Sequence, residues 1–198
     1  MGKIYLIVEG DGEVQAVPEL IRRILYEKFN RYDVVLAKPY NAHGNGNLTV
    51  VGGLERFLGL TRRQSDCIGV LALLDAEEEH LKCPPSLILQ LARRTRKLRL
   101  PFPAVVVCAV CEYESWFLTS LHTIGANFLN PEAVYTGDPE HECGAKGWLS
   151  HQMPPGQIYK ETQDQVRMTT QLDLAVVESR SGSFRLLIHA IEVLLKYV

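Results

Sequence analysis

Three stretches of this chain are apolar almost without interruption: "KIYLIVE" (3–9), "CIGVLALLD" (67–75) and "FPAVVVCAV" (102–110). A strand with one wet face alternates apolar and polar residues. Runs this continuous need cover on both faces, as in a parallel sheet. "DVVLAKP" (33–39) reads as a fourth, weaker strand. Helical spacing fills the gaps. In "EVQAVPELIRRILYEKFN", Val17, Leu20, Ile21, Ile24, Leu25 and Phe29 share one face, and Pro18 is expected in the first turn, where a missing N–H costs little. "GGLERFLGLTRRQ" gives a shorter helix. "PPSLILQLARRTRKLRL" gives a third, capped by Ser86 and running to Leu98. The order β-α-β-α-β-α-β predicts an α/β fold, Rossmann-like, with a mostly parallel four-stranded sheet flanked by helices.

Beyond Trp116 the pattern changes to a turn-rich stretch and then to short helical segments. The last of these, "SFRLLIHAIEVLLKYV", places Phe184, Leu187, Ile188, Ile191, Leu194 and Leu195 on one face. The expected organisation is an α/β domain over 1–125. An irregular segment and helical C-terminal extension, 126–198, packs on it as one structural unit. With 46% hydrophobic and 22% charged residues, a substantial core is available. A net charge of −2 excludes a global basic footprint for nucleic acid. No run reaches the roughly 18 to 20 apolar residues of a membrane span. The start "MGKIYLIVEGDG" is too short for a signal peptide, and Leu6 breaks the myristoylation pattern. A cytoplasmic protein with no membrane partner is therefore expected, its five cysteines reduced. Cys108 and Cys111 are three apart on a strand and point to opposite faces. His80 with Cys83, and His141 with Cys143, lack zinc-ribbon spacing, so buried thiols are expected.

The strands end in acids. Glu9 and Glu13 flank the first βα turn; Asp75, Glu77 and Glu78 follow the third strand; Glu112 and Glu114 follow the fourth. Ligands of open parallel sheets gather at the carboxyl ends of strands. Carboxylates crowded there raise one another's pKa unless a cation joins them. Oxygen donors without well-spaced His or Cys favour Mg²⁺ or Mn²⁺ over zinc. Single clusters of this kind are common on solvated loops and helix starts; three on one rim point to a metal site.

The same strings carry a family resemblance. A strand ending "VEG", a helix, then an apolar strand ending in Asp-x-acid resembles the TOPRIM arrangement, the metal-binding α/β domain of topoisomerases, primases and OLD-type nucleases. "IVEGDGE", "LLDAEEE", "CEYESWFL", "GAKGWL", "IYKETQD" and "SGSFRLLIHAIE", in this order and through nearly the whole chain, resemble a bacterial TOPRIM-like family of unknown function, domain of unknown function four-two-seven-six. The resemblance implies that Glu9 corresponds to the TOPRIM glutamate and Asp75 with Glu77 to its acidic pair. Glu77 departs from the usual second aspartate, so it would hold a metal less rigidly. Glu13 matches an acid of the OLD-type branch, and Glu114 the family's Glu-x-Trp-Phe string.

Acids from three strand ends suit a pair of Mg²⁺ or Mn²⁺ ions clamping a phosphodiester, with Glu9 as ligand or general acid–base. Lys146 is a candidate for stabilising transition-state charge, and Tyr159 and Lys160 for holding a phosphate. The expected function is a Mg²⁺-dependent nuclease or phosphotransferase acting on nucleic acid, in bacterial defence or DNA processing. The alternative is a non-catalytic module serving an ATPase in trans, since the chain carries no ATPase motif. "LLDAEEE" lacks the second Asp of a haloacid-dehalogenase phosphatase. "AHGNGN" (42–47) is no Walker A loop and reads as a turn. The basic run Arg93, Arg94, Arg96, Lys97 and Arg99 closes a helix on the rim opposite the acids, which suits solubility or a partner better than substrate.

Overall fold

The computed structural model describes residues 2–76, 84–141 and 143–197. Strand β1 (Lys3–Val8) lies inside the sheet. On one side it pairs with β2 (Val35–Leu36) and β3 (Tyr40–Asn41), and on the other with β4 (Cys67–Ala76). Strand β5 (Ala104–Val110) adds to β4 and forms an edge. Every pairing is parallel. The expected α/β architecture is present, with one correction. The strand expected over 33–39 is two short pieces, so the sheet has five strands rather than four. From Leu36 to Tyr40 the chain advances four residues while its partner advances three, from Ile4 to Ile7. The extra residue bulges out next to Pro39, which has no N–H for the ladder.

Neighbouring strand residues serve opposite cores, which is why the runs are unbroken. Leu6, Val8, Leu71, Leu73 and Val107 pack under α1 (Glu13–Glu27) and α10 (Gly182–Leu195). Tyr5, Ile7, Ala72, Leu74 and Cys108 pack under α3 (Gly53–Arg62) and α4 (Pro84–Lys97). Each fully buried Leu or Ile contributes about 1.5–3 kcal/mol over its exposed state. Helix α1 begins at Glu13, so Pro18 lies in the second turn and not the first. Helix α4 begins at Pro84, so Ser86 is inside it and not its cap. A proline suits the first helical position, because its missing N–H would have no partner there.

Between β3 and α3 lies a short helix, α2 (Gly46–Thr49). After β5 the chain forms α5 (Ser115–Thr119), α6 (Leu121–Phe128) and α7 (Ala145–Gln152). A π-helical turn (Glu161–Gln165) runs into α8 (Val166–Thr169), and α9 (Leu174–Arg180) precedes α10. Trp116, fully buried, donates its indole N–H to Ser183 Oγ at 2.9 Å and packs edge-on against Phe184. The acid-bearing end of β5 is thereby pinned beneath α10.

The expectation of five reduced thiols is corrected. Cys111 and Cys143 form a disulfide, with their Cα atoms 5.2 Å apart. The pair is separated by 32 residues, too far for local spacing to reveal. Cys67 and Cys108 are free, and Cys83 lies outside the described residues. Burial pushes the Cys108 thiol up to about 12, the Asp75 and Glu9 carboxylates adding to it, so it stays protonated. Among the described residues no helix is long and apolar enough to cross a membrane.

A candidate carboxylate site

The site forms where β1, β4 and β5 end side by side. Glu9 closes β1, and its Oε2 accepts the Asp75 N–H at 3.1 Å, linking two strand ends. The chain then turns through Gly10 and Gly12. Glu13, the first residue of α1, reaches back and accepts the Gly10 N–H. A Cβ on Gly12 would stand 2.4 Å from Gln165 Oε1 and 3.0 Å from Glu161 Cβ. Glycine is needed there because the π-helical turn presses against this loop. Such turns recur at functional sites.

Asp75 is buried at the end of β4 and accepts the Tyr113 N–H through Oδ1 at 2.9 Å. After Val110 the chain makes a γ-turn. The Glu112 N–H bonds to Val110 O at 2.9 Å across Cys111, whose φ is 61°. A non-glycine residue in this conformation is strained and needs surrounding support, which the disulfide to Cys143 supplies. The turn directs Glu112 and Glu114 to the same side as Asp75.

The three carboxylates share one pattern: one oxygen is anchored and the other is presented. Glu112 Oε1 accepts the Gly144 and Lys146 N–H groups, both at 3.2 Å. Glu114 Oε1 accepts the Tyr159 hydroxyl at 2.8 Å and Gln165 Nε2 at 3.1 Å. The second oxygens all face the Lys146 ammonium. Asp75 Oδ2 is 3.8 Å from Nζ, and Glu112 Oε2 and Glu114 Oε2 are each 3.9 Å away. Lys146, on the first turn of α7, completes its contacts with Glu161 Oε1 at 3.0 Å.

One cation does not satisfy this much negative charge. Burial pushes Glu114 up to about 8, despite the opposing pull of Lys146 and Tyr159. Burial raises Asp75 well above the carboxylate range, with Glu13 and Glu114 adding to it and Lys146 opposing. Burial raises Glu13 as well. For Lys146, burial pulls the pKa down, but Glu114, Asp75 and Glu161 outweigh it and hold the ammonium charged. Tyr159 is driven far above its ordinary value by burial and by Glu114, so its hydroxyl donates. Glu114 Oε2 and Gln165 Oε1 are buried without a hydrogen-bond partner.

The structure brings together Glu9, Glu13, Asp75, Glu112, Glu114, Lys146 and Tyr159. Lys160 is not among them. Its side chain is exposed, and its N–H donates to Asp164 Oδ2 at 2.9 Å. Glu77 lies outside the described residues. Sequence reasoning missed Glu161 and Gln165, although "IYKETQDQ" holds both just after Tyr159. It also missed Asn45 in "AHGNGN", whose Nδ2 donates to Asp75 O. Gly44 in the same loop donates to Glu9 O at 2.9 Å, so this loop belongs to the rim of the site.

The donor set suits a hard divalent ion: oxygen atoms only, aimed at one point, one of them orphaned. Among the described residues no three His, Cys, Asp or Glu side chains are already closed around a single metal position. The convergent oxygens stand back around the larger ammonium group.

A family model described as a domain of unknown function (DUF4276) matches residues 8–192. No curated protein and no solved structure matches the chain.

Proposed function

The chain belongs to the DUF4276 family, and from the geometry of its carboxylate site we propose a phosphodiesterase dependent on Mg²⁺ or Mn²⁺. Its substrate class is nucleic acid, as the resemblance to TOPRIM nucleases implies. The reading rests on one observation: Asp75, Glu112 and Glu114 each fix one oxygen by hydrogen bonding and turn the other to a common point. A cluster serving stability alone would have its second oxygens bonded too, since a buried orphan acceptor costs about 1–3 kcal/mol.

In this reading Asp75, Glu112 and Glu114 hold the ion, with Glu9 and Glu13 beside them. When bound, the metal supplies Lewis-acid stabilisation and a more acidic water. Glu9 is oriented by the Asp75 N–H and takes the role of general base. Tyr159 and Gln165 keep Glu114 in place. Lys146 offsets part of the cluster's charge in the metal-free protein. Being partly exposed, it is free to turn to the substrate phosphate once a metal takes over that charge.

The test is cleavage of labelled single- and double-stranded DNA and RNA with Mn²⁺ or Mg²⁺ and with chelator. The expected result is metal-dependent cleavage lost in Glu9→Gln and Asp75→Asn. Cleavage that survives both substitutions, or chelation, removes the reading.

One observation favours a second reading, a non-catalytic module that serves an ATPase in trans. Lys146 already lies within ion-pair distance of four acidic side chains and so offsets part of the cluster's charge without metal. Calorimetry separates the two, because this second reading requires no Mg²⁺ or Mn²⁺ binding.

A further inference from the structure

The other notable surface of β5 is its side. The strand is the last in the sheet, with β4 on one flank and, among the described residues, no strand on the other. In the parallel register Val70 opposes Ala104, and the Val70 N–H bonds to Pro103 O at 2.9 Å. Main-chain groups of alternate residues therefore turn towards β4. Those of Ala104 and Val106 turn outward, unpaired by the sheet.

This free edge is the floor of a groove of about 690 Å³. Ala92 and Thr95 of α4 form one wall, and Leu186, Ala190 and Val193 of α10 the other. Leu186 is 54% exposed, a large apolar side chain left without cover. Thr95 is 7% exposed, and its hydroxyl has no hydrogen-bond partner. Arg96 and Arg99 stand at the end of the groove beside the start of β5. They differ from Arg94, which is held by Glu55 at 2.7 Å and by the carbonyls of Thr49 and Val50. Among the described residues no acidic side chain is part of the groove lining, and His189 on the α10 wall is paired with Glu192 at 3.3 Å.

We propose that this groove binds an extended apolar segment of another protein, ending in acidic residues, as an added strand antiparallel to β5. Unpaired edge groups supply backbone hydrogen bonds, and the walls supply pockets for alternate side chains. Antiparallel addition places the carboxyl end of the segment beside Arg96 and Arg99, so the acids belong there. The sign of these two arginines decides the occupant. A second copy of this chain offers a groove of the same cationic sign, with no acid among the described residues of its lining. The inference is independent of the carboxylate site, which lies at the ends of the strands.

The experiment is fluorescence anisotropy with a labelled peptide, Thr-Val-Thr-Val-Thr-Val-Asp-Asp, carrying a free carboxyl terminus. The control carries Lys-Lys at its end, amidated. The acidic probe should bind with a Kd of about 100 μM or tighter, and the control at least about tenfold more weakly. Val106→Pro removes an outward N–H without touching the β4 ladder, and should lower binding by about tenfold or more. The double variant Arg96→Glu, Arg99→Glu should do the same, and it decides alone if Val106→Pro fails to fold by circular dichroism. Absence of saturable binding, equal binding of the two peptides, or unchanged affinity in a folded variant overturns the proposal. So does a dimer in light scattering that Val106→Pro dissolves, since a second copy then fills the edge.

Discussion

Glu140 and Glu114 are two carboxylates drawn in from solvent, and their surroundings treat them oppositely. Glu140 accepts four hydrogen bonds at the start of α10, from both hydroxyls of Ser181 and Ser183 and from the N–H groups of Gly182 and Ser183. Burial alone would raise its pKa, but these donors hold it below the ordinary value. Glu114 is fully buried, has two donors on one oxygen and none on the other, and is pushed up to about 8. A helix N-terminus and four donors make a carboxylate comfortable. Two donors and a distant ammonium do not. Glu140 is a structural anchor, while Glu114 keeps one oxygen without a donor.

The Cys111–Cys143 disulfide ties the chain just after Glu140 to the turn just before Glu112 and Glu114. The largest expected effect follows from cutting it. Closing a loop of this length stabilises by about 4 kcal/mol, and Cys143→Ser should lower stability by that amount in urea melts. An unchanged midpoint would separate the two carboxylates and break the comparison. Next in size is Glu140→Gln, expected to cost about 2 kcal/mol, because donors organised for a charged acceptor meet a neutral amide. Glu114→Gln should cost less than about 1 kcal/mol at pH 7, since a group with a pKa near 8 is already mostly protonated there.

The pH dependence, measured with chelator, separates the two groups, because its signs are opposite. Glu114 has a raised folded pKa. Its stabilising protonation is complete below the ordinary 4.5 and is lost as pH rises towards about 8, so stability falls across that window. Glu140 has a lowered folded pKa. Its contribution is present above the ordinary 4.5 and is lost as pH falls through its folded value. Glu114→Gln should flatten the decline towards pH 8, and Glu140→Gln the decline in acid. A single variant that flattens both limbs would show that the two groups are not independent.

The sheet was legible because continuous apolar runs admit few folds, and the acids at the ends of β1, β4 and β5 mark their own positions. The interruption between β2 and β3 depends on a bulge beside Pro39, which propensity along one strand does not expose. The positions of Glu140 and of the Cys111–Cys143 bridge depend on chain segments far apart in sequence, so no local spacing encodes them. Glu161 and Gln165 reach the site only because the π-helical turn presses them against Gly12. Lys146 was singled out from its string, but its place at the centre of four carboxylates is a tertiary fact.

The central claim is that Asp75, Glu112 and Glu114 present their free oxygens to a cation position that Lys146 occupies when no metal is present. Mn²⁺ titration followed by electron paramagnetic resonance, on wild type, Asp75→Asn and Lys146→Met, tests it most directly. The account predicts saturable binding by wild type and binding weakened at least about tenfold in Asp75→Asn. It predicts equal or tighter binding in Lys146→Met, because the competing ammonium is gone. No saturable binding by either wild type or Lys146→Met would contradict it.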